Sequence, residues 1–188
     1  MLTVREASTA LYGAFRLARL DAGGLSFFDA SVDGFWRSFY AALLVAPLYL
    51  LLVLVRYVTE FGEASSVRYV LVESIAYAIS WLAFPVLMDV VSGFLGRRER
   101  YIRYIVAYNW AAVLQNALYL PIVIFGITGA IPQGAASTLA VVALALIFAY
   151  IWFITRSALA VPGPTAAGIV VADFLLSVLI QATADRLL

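Results

Sequence analysis

The chain has 188 residues, 65% hydrophobic and 12% charged, with a mean hydropathy of +1.00 and a formal net charge of +1. So few charges, about half the usual share, with so much apolar surface exclude an ordinary water-soluble domain and predict an all-α integral membrane protein. The absence of His and Cys removes triads, imidazole bases, thiol nucleophiles and the usual zinc, haem and iron–sulfur ligands, so neither an enzyme nor a cofactor is expected.

Residues 1–20 carry Arg5, Glu6, Arg16 and Arg19 through what a signal peptide would keep apolar. On a helical wheel Val4, Ala7, Leu11, Phe15 and Ala18 share one face with the Arg on its flank. This predicts an amphipathic helix, lying in the membrane interface or packed on the cytoplasmic end of the bundle. Asp21-Ala-Gly-Gly ends it. Residues 25–40 then mix acids with Phe27, Phe28, Phe35, Trp36, Phe39 and Tyr40, which suits the headgroup layer. Residues 1–37 form a cytoplasmic segment on this reading, and 38–188 a five-span domain.

Span one, about 38–57, is the 18-residue uncharged run between Arg37 and Arg56. Span two, about 69–92, contains Glu73 and Asp89, placed at its outer and inner interfaces, where ionisation costs little. Span three, about 104–126, follows Arg97-Arg98-Glu99-Arg100 and Arg103. The 52 uncharged residues from Tyr104 to Thr155 must fold back once. Gly126, Gly129, Pro132 and Gly134 mark the turn and leave span four at about 135–155. Span five, about 165–185, opens after Pro162-Gly163-Pro164. Pro47, Pro85 and Pro121 fall inside spans one to three, where each removes one backbone hydrogen bond. With five spans, nine of the twelve Arg share a side with the N-terminus. The positive-inside rule then puts the N-terminus in the cytoplasm and the C-terminus outside. Arg without Lys in an Ala- and Gly-rich chain suggests a bacterial inner membrane, with the C-terminus in the periplasm.

Asp173 is the acid out of place, about 12 Å into span five. Ser177 and Gln181 follow at four-residue steps, as one polar stripe. Asn109 and Asn116, seven apart on span three, share a face and are its expected partners. These five residues either line a proton or cation path or hydrogen-bond the spans together. Arg97, Arg98, Arg100 and Arg103 form a basic patch that fixes topology and can dock anionic lipid headgroups or an acidic partner. The bilayer is the principal partner, with a second membrane protein or another copy of the chain open. Neither a metal nor a nucleic-acid site is expected.

The layout resembles the Yip domain family of small membrane proteins: a cytoplasmic N-terminal segment, five close-spaced spans and an external C-terminus. The segment GLSFFDASVDGFWRSFYAALLVAP (24–47) is similar to that family's lead-in, where aromatics and an Arg precede span one. The resemblance implies the fold and a non-enzymatic role in organising membrane or binding partners. The alternative is a small permease or channel subunit that uses Asp173.

Overall fold

A computed structural model describes residues 2–62 and 65–188. The regular elements among them are all helical: α1 Val4–Ala18, α2 Val32–Ser38, α3 Tyr40–Glu60, α4 Ser66–Phe94, α5 Tyr101–Ile127, α6 Gln133–Leu159 and α7 Gly163–Arg186. Short 3₁₀ turns at Ala22–Phe27 and Arg98–Arg100 complete them. Five helical stretches are long and apolar enough to cross a membrane: Val32–Glu60, Ser66–Phe94, Arg98–Ile127, Gln133–Leu159 and Gly163–Arg186. The expected spans all fall inside them. The first begins earlier than expected, because α2 runs into α3 almost without a break at Phe39.

The helix ends follow local chemistry. Thr3 and Glu6 form a reciprocal capping box at the start of α1. Gly96, at φ +62°, ends α4: its N–H donates to the Gly93 carbonyl while that of Arg97 reaches Ser92 at 2.8 Å. That paired closure needs a left-handed residue, which glycine adopts at little cost. The internal prolines Pro47, Pro85 and Pro121 leave the helices continuous.

Helix α5 is the axis of the bundle. Tyr104, Ile105, Val106, Ala107, Trp110 and Ala111 are buried around most of its circumference. Helices α3 and α6 flank it, while α7 packs on α4 and α6. Leucines and valines such as Leu43, Leu50, Leu54, Val86, Val141 and Leu175 are more than half exposed on the outer surface. In water such a belt would aggregate; in hydrocarbon it needs no partner.

Helix α1 packs on this bundle at the end that holds the α4–α5 loop. Its buried residues are Ala10, Gly13, Ala14 and Leu17, and the Tyr150 hydroxyl donates to the Ala14 carbonyl at 2.7 Å. Of the five residues expected on one apolar face, Val4, Phe15 and Ala18 are exposed. Small residues form most of the packed face, with Leu17, because the Ala22–Phe27 turn crosses so closely. A Cβ on Gly13 would sit 2.9 Å from the Gly24 carbonyl oxygen, so neither position has room for alanine.

Candidate functional site

Asp173 lies on the inner face of α7 and is 6% exposed. Its Oδ1 accepts a hydrogen bond from the Tyr108 hydroxyl at 2.8 Å. Tyr108 belongs to α5 and stacks at a tilt on Phe84 of α4, with centroids 4.5 Å apart. One level along α5, the Tyr104 hydroxyl meets that of Thr155 on α6 at 3.0 Å, fully buried. Span five thus does bond to span three, through a tyrosine and not through the asparagines.

The other candidates are dispersed. Ser177 is exposed and donates to the Asp173 backbone carbonyl, one turn back on its own helix. Gln181 donates to Asp185 at the far end of α7. Each four-residue step drifts about 40° around a helix, so Gln181 points about 80° away from Asp173. Since α7 is an edge helix with a narrow buried face, the stripe leaves the interior after its first member. Asn109 is completely buried, and its amide donates to the Ser38 hydroxyl at 2.8 Å. The Asn109 Oδ1 has no hydrogen-bond partner. Asn116 donates to the Ala112 carbonyl of its own helix.

A cluster that sequence reasoning missed closes the opposite end of the bundle. Arg56, near the end of α3, reaches Glu60 one turn on at 3.2 Å, Glu73 of α4 at 3.3 Å and Asp185 of α7 at 3.0 Å. The second oxygen of Glu73 accepts from the Tyr49 hydroxyl at 2.8 Å. Glu73 was expected at a wet interface; it is 2% exposed. It is tolerable there because a guanidinium and a phenol satisfy both oxygens. Arg56 therefore joins three spanning helices instead of only flanking one.

The basic patch sits at the α1 end. Arg98 approaches Asp89 at 3.5 Å with both side chains well exposed, and Arg100 lies 3.6 Å from Glu99. Pairs this exposed contribute little stability. The Arg97 Nε is buried without a hydrogen-bond partner, and Arg103 is half-buried.

On the same end, Arg37 of α2 bridges Glu6 of α1 at 2.9 Å and Asp29 at 2.6 Å. Hydrogen bonds from Thr3, reinforced by Arg37, hold the Glu6 carboxyl below its ordinary range. Ser31, with Arg37, does the same for Asp29. Arg16 and the Gly23 N–H lower Asp21 in the same way. All three acids are therefore ionised at neutral pH. Glu6 and Asp29 tie α1 and the lead-in to Arg37 of the first spanning stretch, while Asp21 fixes the end of α1 to the following turn. Neighbouring side chains line an open cavity of about 320 Å³ over Val106 and Trp110 of α5. Among the described residues, no group of three or more Asp or Glu is placed to hold a metal ion.

No protein-family model, curated protein or solved structure matches this chain. Function is therefore read from the side chains themselves. The chemistry available is hydrogen bonding and ion pairing between helices, together with a charged surface at one end.

Proposed function

We propose that the chain is a non-enzymatic, Yip-like scaffold of the membrane, which organises the bilayer or a partner protein at the end that carries α1. One observation carries this reading: the Asp173 carboxylate, the expected centre of a transport path, accepts a hydrogen bond from Tyr108 across a helix contact. Asn109, Glu73 and Thr155 are likewise bonded to neighbouring helices. Polar groups held this way fix helix positions.

The contact surface is α1 with the Arg97–Arg103 loop. Val4, Tyr12 and Phe15 are half or more exposed on α1, beside Arg16 and Arg19. This suits an amphipathic helix whose outer face lies among lipid headgroups. Phe94, 87% exposed, extends the apolar part of that surface, and the arginine loop beside it suits anionic headgroups. With nine of twelve Arg on that side, it faces the cytoplasm of a bacterial inner membrane, and the C-terminus faces the periplasm. Reporter domains fused after Arg103 and after Leu188 will report opposite sides; the same side for both refutes the topology.

The functional test is flux. Liposomes holding the purified chain are expected to show the proton and cation permeability of empty ones, and Asp173→Asn no change. Flux that depends on the wild-type protein and vanishes in Asp173→Asn would replace the scaffold with a small permease.

A further inference from the structure

The cavity at the α1 end has a composition that selects one kind of ligand. Its rim holds two cations, Arg5 and Arg37, and two acids, Glu6 and Asp29, while Val106 and Trp110 contribute to its floor. The four charges sum to zero, so the site favours neither a simple anion nor a simple cation. Both signs nevertheless keep bonding capacity. The Arg5 guanidinium has no ion pair or hydrogen bond among the described residues. Arg37 uses one bond to each acid of the five N–H a guanidinium offers. A carboxylate has about four acceptor positions. Glu6 fills three of them, from two donors of Thr3 and from Arg37. Asp29 fills two to three, from the Ser31 backbone and side chain and from Arg37. Acceptor positions therefore remain on both carboxylates for an incoming N–H donor.

The location adds a second constraint. Val106 and Trp110 lie about 8 and 14 Å along α5 from its start, on a helix apolar enough to span the membrane. The floor is thus at acyl or glycerol depth while the charged rim is level with the helix ends. A volume of about 320 Å³ is at the small end of ligand sites, roughly 300–1,000 Å³, a size for a headgroup and not a whole lipid.

We infer that this cavity binds the headgroup of a zwitterionic aminophospholipid of the phosphoethanolamine type. The phosphate sits between Arg5 and Arg37, in the charge-assisted geometry guanidinium groups favour. The ammonium is received by Glu6 and Asp29, and the glycerol lies over Val106 and Trp110. A choline headgroup fits worse, because a quaternary ammonium has no N–H to donate. A glycerol headgroup leaves the acids without a counter-charge.

The test uses the full chain, purified in detergent and delipidated, with binding followed by native mass spectrometry and thermal shift. Short-chain phosphatidylethanolamine is expected to bind saturably and at least about ten-fold tighter than the matching phosphatidylcholine or phosphatidylglycerol. Soluble phosphoethanolamine and inorganic phosphate serve as headgroup-only probes and should bind at least about ten-fold more weakly than the lipid. Arg5→Gln, at a side chain with no partner, should leave the Tm unchanged and weaken the lipid about ten-fold. Glu6→Gln keeps the capping box, which accepts Gln; it should erase the preference over phosphatidylglycerol. Phosphatidylglycerol binding that equals or exceeds that of phosphatidylethanolamine and is weakened by Arg5→Gln, so that it occupies this cavity and not the arginine loop, overturns the inference, as does a soluble probe that matches the lipid. So does an absence of saturable binding. None of these outcomes depends on flux, so the site and the scaffold reading fail separately.

Discussion

Arg56→Gln is expected to destabilise the fold by about 3–5 kcal/mol, the usual cost of removing one partner from a buried ion pair. The cost arises from Glu73. With 2% exposure and a position inside α4, its carboxylate would keep the Tyr49 hydroxyl and lose the one cation that pairs with it among the described residues. Glu60 and Asp185 are near two-fifths exposed and can turn to water, so their share of the loss is small. The loss also has a spatial signature. Arg56 joins α3, α4 and α7, so hydrogen exchange should rise in the last two turns of α7 as well as around residue 56. Glu73→Gln in the Arg56→Gln background removes the stranded charge and should recover at least half of the loss. Reversible unfolding of the four chains of this cycle in detergent gives the coupling directly. A single-variant cost under about 1 kcal/mol would reduce Arg56 to a surface ion pair.

That cluster also shows where the sequence stops being informative. The spans could be read because an uncharged run of eighteen residues, or a run of 52 broken at Gly126–Gly134, admits few other structures in a membrane. Periodicity says which face of a helix is polar but not what opposes it. Glu73 and Arg56 are separated by 17 residues and Arg56 and Asp185 by 129, and no local pattern links them. The packed face of α1 was hidden for another reason. A wheel scored by hydrophobicity selects Val4, Leu11 and Phe15, whereas contact with the Ala22–Phe27 turn required the smallest residues, Gly13 and Gly24. A Gly pair flanking a turn was the available signal. For Asp173, depth identifies the residue, but span three is expected as its neighbour on Asn109 and Asn116, neither of which bonds to it. Tyr108 was passed over because a tyrosine among many aromatics reads as packing until its hydroxyl is placed.

Tyr108→Phe should cost about 1–3 kcal/mol, the penalty for leaving a buried acceptor unsatisfied. The hydroxyl is the only hydrogen-bond donor to the Asp173 side chain among the described residues. Its loss leaves the buried carboxyl group without that donor, and the phenyl ring can keep its contact with Phe84. Asp173→Asn should cost less, because the amide still offers the oxygen that Tyr108 requires. Replacing both groups separates the two readings of this acid. If the pair only joins α5 to α7, Tyr108→Phe with Asp173→Leu removes donor and acceptor together. Stability should then return to within about 1 kcal/mol of wild type, since paired removal of matched polar groups is nearly neutral. Loss of the native membrane partner in that double variant, with the Tm restored, would instead give the carboxylate a task beyond holding helices together. Unfolding midpoints together with copurification from the native membrane decide between the two.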